Sequence, residues 1–514
     1  MSLRRSLVAL LGVCGALGIA ERTLAIPPAA PATNLGDAIT EIDLARAQHL
    51  LERASGDPTR IALERARLSI YLGACDDAAA QLSAPTLGES KEGASLAALA
   101  RSCARATAAG FVIEDKQKGI WLRLQDDADR VLAPYIIDTA TRARDTITRD
   151  LGVDLPRPLR IDLVRDQFSL AAVSGLPVTA AETTGTLAVA RWGRVILLSP
   201  RASASGYPWQ DTLAHEITHL VITRGTRDRA PLWLQEGLAK REESRWREAR
   251  PFDDPSWADL TARDALIDGR SIGIDQLGPS IAMLPTPEAA TTAFAEVSSF
   301  VKYWLAENGS AALGLLFLDL KSSEPGNVDG ALKSVSGYTL AQWNARWQAA
   351  LRDQPPDPRE ERARLPFPKD PRRLARQLRL GDLLGERNHT EVALGQFLSA
   401  LTDAPAESPV RFRAARTHLL LHQPEAFQSA IGTEAMLRGG HGGWFALEAR
   451  ALRETGHGPA AVKASEQALS LDPLAEDVAC DGFVRAPNGT ATLPADPARR
   501  ALCESARVPI QLRP

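Results

Sequence analysis

Apolar residues recur at intervals of three and four in "AITEIDLARAQHLLERA", "RIALERARLSIYLG", "DDAAAQLSA" and "GASLAALARSCARATAAG", all within residues 36–110. That spacing follows the turn of an α-helix, and Gly, Asp and Pro punctuate the ends, so short helices arranged as hairpins are expected here. The pattern changes at Gly110. "FVIEDKQKGIWLRLQ" and "LRIDLVRDQ" alternate and are rich in β-branched residues, as strands are, and they flank a helical stretch, "VLAPYIIDTATRARDTITRDLG". "GTLAVARWGRVILLSP" reads as a hairpin whose second strand leads toward a helix beginning near Asp211 and stopping at Gly225. Helices then continue to about residue 352. The expected class is therefore α+β over residues 111–352, closed by a Pro- and charge-rich linker at 353–373.

Residues 374–514 carry an internal repeat. From Pro405 of "TDAP" to Pro473 of "SLDP" is 68 positions, or two periods of about 34. In that register Gly381 matches Ala449, Ala393 matches Ala461, and Ala400 matches Ala468. Small residues at these places and prolines at the ends resemble tetratricopeptide helical hairpins, and the helices of 36–110 resemble them more weakly. The resemblance implies a surface for a peptide or protein partner.

Composition narrows the partners. Lys and Arg number 60 against 63 Asp and Glu, a net charge of -3 that offers no basic excess for nucleic acid or anionic lipid. Mixed runs such as "REESRWREAR" read as a solvated helix face. Residues 1–25 have the form of an export signal: Arg4 and Arg5, then an apolar stretch too short to span a bilayer, then small residues at Ala20 and Ala25. A lipid anchor on Cys14 fits poorly, because Val13 stands where a small residue is wanted. Export to periplasm or medium, with no membrane span in the mature chain, is the expectation. Cys75 with Cys103 and Cys480 with Cys503 then form two local pairs suited to disulfides; the other reading is four buried apolar side chains.

The chemistry concentrates in "DTLAHEITHLVITRGTRDRAPLWLQEGLAKREESRW", residues 211–246. On a helix, His215 and His219 lie one turn apart on the same face and can share one Zn²⁺. Glu216 is turned about 100° away, placed to act as general base on a metal-bound water. A catalytic zinc needs a third protein ligand. No other histidine and no cysteine falls between residues 111 and 365, so a local third ligand is a carboxylate. Glu236 supplies it, on a second helix beginning at Pro231, and Gly237 permits close approach of these two helices.

These motifs resemble the peptidase MA-like family of gluzincins, exported bacterial zinc metallopeptidases with flanking tetratricopeptide repeats. The resemblance covers "TTGTLAVARWGRVILLSPRA", "DTLAHEITHLV", "APLWLQEGLAKREESRW" and "AFAEVSSFVKYWLAENG". It implies a thermolysin-like domain with "RVILLSP" as the edge strand that pairs with an extended peptide. It also implies zinc on His215, His219 and Glu236, with Glu216 as base. Two departures stand out. Phe294 occupies a position where the family often has tyrosine, which leaves Tyr303 and Tyr207 as candidate oxyanion donors. The G-x-M-x-N strand of the aminopeptidases is missing, and the domain's one methionine, Met283, lies elsewhere, so an endopeptidase is the better reading. The alternative is a weak or inactive peptidase-like scaffold that binds peptides or partners through its repeats.

Overall fold

The structure, a computed structural model, describes residues 34–178, 186–202, 207–249, 253, 255–354, 370–405, 408–430, 442–471 and 500. The expected signal segment with Cys14, the Cys480–Cys503 pair, Pro473 and residues 355–369 of the linker lie outside them.

The described chain is mostly helical around one mixed sheet, which agrees with α+β at that level. Six helices come first: α1 (Leu35–Thr40), α2 (Leu44–Glu52), α3 (Pro58–Tyr71), α4 (Cys75–Gln81), α5 (Pro85–Gly88) and α6 (Lys91–Thr107). Polar caps set several of their starts; Asn34, Asp43, Asp57 and Ser90 each accept a first-turn N–H. The sheet contains β1 (Phe111–Asp115), β2 (Ile120–Leu124), β3 (Leu159–Val164), β4 (Ala188–Arg191) and β5 (Arg194–Leu198), in the order β1-β2-β3-β5-β4. β2, β3 and β5 run parallel, while β1 and β4 pair antiparallel as hairpin partners. Trp192 and Gly193 both take positive φ, 56° and 66°, as a two-residue hairpin turn of this twist requires.

This order corrects one expectation. "RVILLSP" is not the edge: β5 is buried along its whole length between β3 and β4, and among the described residues the sheet ends at β1 on one side and β4 on the other. Helices cover both faces of β5, which explains why it reads as a continuous apolar run.

One face carries Ile120, Leu122, Ile161, Leu163, Val195 and Leu197, packed on α7 (Ala133–Leu151) and α9 (Trp209–Thr226). The other face presents Val164, Ile196 and Leu198 to Cys75, Cys103 and α8 (Gln167–Ser174). The N-terminal helices are thus a layer on the sheet. The Cys75–Cys103 disulfide joins α4 to α6 within that layer. Beside it Asp162 sits between Arg123 and Arg194 at 2.5 and 3.1 Å, all three buried. Burial lowers the Arg194 pKa to about 10 although the Asp162 charge opposes it.

After α9 come α10 (Leu232–Glu242), α11 (Trp257–Ile267), α12 (Pro287–Ser322, broken at Gly309), α13 (Val328–Ser336) and α14 (Leu340–Asp353). Trp209, Phe300 and Trp304 are fully buried among them, and Phe300 contributes about 1.5–3 kcal/mol by removal from water. The remaining helices are α15 (Pro371–Glu386), α16 (Thr390–Asp403), α17 (Ser408–Leu420), α18 (Gly442–Glu454) and α19 (Gly458–Leu471). Gly381, Ala393, Ala400, Ala449, Ala461 and Ala468 are all buried in them.

Candidate metal centre

α9 is held from several sides, since Leu213, Ala214, Ile217, Leu220, Val221 and Ile222 are all buried. It does not stop at Gly225. A side chain there would press on the Phe317 ring at 2.9 Å and on Val153 at 3.0 Å, so glycine admits α12, and the helix ends at Arg227 in the left-handed region. On this rigid element the rings of His215 and His219 lie edge to face with centroids 4.9 Å apart.

α10 starts after Pro231 and returns beside α9. Its Glu236 Oε2 lies 3.5 Å from His215 Nε2 and 3.7 Å from His219 Nε2. The three donor atoms fall within 4.8 Å of one another. What seats α10 so closely is Gly237: a Cβ there would stand 2.4 Å from Val301 Cγ2 and 2.5 Å from the Val297 carbonyl oxygen of α12.

The outer partners decide which nitrogens face the centre. His215 Nδ1 lies 3.2 Å from Glu243 Oε2, and His219 Nδ1 lies 3.1 Å from Gln235 Oε1. Both oxygens accept, so each Nδ1 donates outward and each Nε2 is the nitrogen that faces Glu236. Two imidazoles and one carboxylate so converged could hold a metal ion, and they match in type the donors of an open zinc site. Burial pushes the His215 pKa down, but its bonds to Glu236 and Glu243 and the Glu216 charge outweigh that and raise it to about 10. Burial pushes Glu243 up; the charge of Lys240, 2.9 and 3.0 Å from its two oxygens, and the His215 bond bring it down to about 2. In Glu236 the His219 charge and the His215 bond likewise overcome burial and lower the pKa.

Glu216 is nearly buried, and its Oε2 accepts the backbone N–H of Ala190 on β4 at 2.6 Å. The two tyrosines are engaged elsewhere. Tyr207 is buried with its hydroxyl donating to the Leu198 carbonyl, and burial raises its pKa well above 10. Tyr303 packs edge-on against Trp343 and hydrogen-bonds Arg346. Phe294 lies beneath the Lys240 ammonium, 5.4 Å from its ring centre, and Met283 is exposed.

Residues 241–247 of "REESRWREAR" are not a solvated face. Glu242 is fully buried, with Arg241 and Arg245 on it, and Trp246 is buried too. Arg247 bridges Asp211, at 2.7 and 2.6 Å, to Asp253 at 2.7 and 3.0 Å. Glu243 belongs to the same run, and its signal was its spacing: seven residues beyond Glu236, two turns along the same helix face. Gln235 and the Ala190 amide carry no comparable mark in the sequence.

Compared with protein-family models, curated proteins and solved structures, the chain finds no match.

Proposed function

We propose that this chain is an exported zinc metallopeptidase of the gluzincin type, an endopeptidase acting on extended peptides. One observation carries the reading: His215, His219 and Glu236 converge in a partly buried cluster, and Glu216, next to His215 on α9, is held by the edge strand β4. His215, His219 and Glu236 would hold one zinc per chain. When bound, zinc supplies Lewis acidity that brings a water pKa toward neutrality and polarises a peptide carbonyl. Glu243 and Gln235 keep the two Nε2 lone pairs directed at it. Glu216 Oε takes the proton of the attacking water and delivers it to the nitrogen of the leaving amine. The disulfide and the lack of a helix long and apolar enough to cross a membrane, among the described residues, are consistent with export. Thermolysin-like describes the proposed domain, and tetratricopeptide-like the C-terminal hairpins.

The experiment is metal analysis joined to a cleavage screen on casein. About one zinc is expected per wild-type chain, near none in Glu236→Ala, and full zinc without cleavage in Glu216→Ala. A zinc-free wild type after supplementation, or undiminished cleavage by Glu216→Ala, overturns the mechanism. The engagement of Tyr207 and Tyr303 outside the cluster favours a second reading, a scaffold that binds peptides without cutting. Full zinc with no cleavage of casein by the wild type supports that one.

A further inference from the structure

The edge strand and the base are joined by a bond that restricts how a peptide can lie. Leu198 N–H donates to the Leu187 carbonyl at 2.8 Å, and Val189 and Arg191 pair with Ile196 and Arg194. In an antiparallel ladder of this phase, the backbone groups of Ala188 and Ala190 point away from β5, toward the open edge. Ala190 N–H does not wait there for a ligand: it donates to Glu216 Oε2 at 2.6 Å. The Ala188 and Ala190 side chains pack toward the α9 face, and their small size lets the strand come this near.

We propose that Ala190 N–H is a positioning group for Glu216, and that it thereby fixes the register of a peptide strand on β4. The peptide exchanges its pair of backbone bonds with Ala188. At Ala190 it finds only a carbonyl acceptor, and the bond to be cut lies there, beside Glu216. This inference rests on the peptidase reading; the Ala190–Glu216 bond itself does not.

Proline substitution separates the two roles, because neither N–H belongs to the ladder and an edge strand accepts proline at such positions. Casein cleavage sites supply a fluorogenic peptide for kinetics. Ala188→Pro should raise KM by about tenfold or less, with kcat kept, the loss of one backbone bond to substrate. Ala190→Pro should keep KM and zinc while kcat falls about 100-fold, the scale of a misplaced general base. The opposite split, KM rising in Ala190→Pro with kcat intact, overturns the assignment. Hydrogen exchange of the Ala190 amide, read by NMR on ¹⁵N-alanine-labelled full chain, tests the bond without any turnover or proline. Protection in the wild type that drops about tenfold or more in Glu216→Ala supports it; exchange unaffected by Glu216→Ala overturns it. A wild type with full zinc that cleaves nothing defeats the peptidase reading and the register with it, while the exchange result still decides the bond.

Discussion

At the residue scale, His215 is the most strongly perturbed group of the cluster, and its behaviour sets how metal enters. Its pKa of about 10 means that the metal-free site holds a second proton on this ring at pH 8, where a free histidine holds almost none. Zinc needs the Nε2 lone pair and must expel that proton. Calorimetric zinc titrations at pH 8, in buffers of different ionisation enthalpy, should therefore show release of at least about one proton per zinc, the ring's own beside any that a zinc-bound water gives up. The ring's share should vanish above about pH 10, and apparent affinity should rise with pH up to that point. A proton count near zero at pH 8 would mean that Glu236 and Glu243 do not hold the ring charged. The sign for stability is the reverse. A raised folded-state pKa stabilises the metal-free fold fully below about pH 6.5, and that contribution disappears as pH rises through about 10. The convergence of His215, His219 and Glu236 was legible in sequence, because helical spacing and the scarcity of other histidines leave few choices. Their partners were less so: Glu243 had only its spacing from Glu236, and a charge run mixes signs identically on a wet face and in a buried network, so packing alone distinguishes Glu242 from a solvated glutamate.

At the element scale, the site depends on the distance between α10 and α12. Gly237 sets it, with no room for a methyl group against Val297 and Val301. Gly237→Ala should cost about 1–3 kcal/mol through overpacking and should also weaken zinc binding, since Glu236 is the adjacent residue. The check is denaturant unfolding of the metal-free protein beside a zinc titration; a variant of wild-type stability and affinity would show that α10 can shift freely. The glycine's place after the glutamate pointed to a close approach to α9, but the helix it admits is α12, through Val297 and Val301. Strand order was not legible. Both "TLAVAR" and "RVILLSP" read as strands of one hairpin, and which of them is the edge depends on whether β3 pairs with the first or the second. β3 takes β5, so the shorter, alanine-rich strand is left at the open edge, where it can reach Glu216.

At the scale of the whole molecule, the N-terminal helices cannot be a detachable arm. They cover the sheet face opposite α9, through Cys75 and Cys103 against Val164, Ile196 and Leu198. Arg123 also donates to the Gly73 carbonyl at 2.8 Å. A second tie runs from Glu41, nearly buried between α1 and α2. Its carboxylate receives Arg227 at 2.6 Å and Lys321 at 2.9 Å, from the ends of α9 and α12. The layer is therefore tied to α9, which carries His215 and His219, and to the part of α12 beyond its break at Gly309. Helical periodicity alone gives no sign of this, because a hairpin array and a sheet-covering layer bury the same stripe. A chain beginning at residue 111 should then lose its fold and its zinc, as it leaves an apolar sheet face and the Arg123–Asp162–Arg194 cluster uncovered. A gentler version removes only the crosslink. The disulfide closes a separation of 28 residues, for which chain entropy gives about 3–4 kcal/mol. Cys75→Ala/Cys103→Ala should unfold at lower denaturant by that amount, measured under non-reducing conditions. Zinc should still bind once the variant is folded, because the centre lies on the other side of the sheet. Unchanged stability would mean that apolar packing on β3 and β5 holds the layer without the bond, and folded, zinc-loaded protein from the chain beginning at 111 would show the layer to be dispensable.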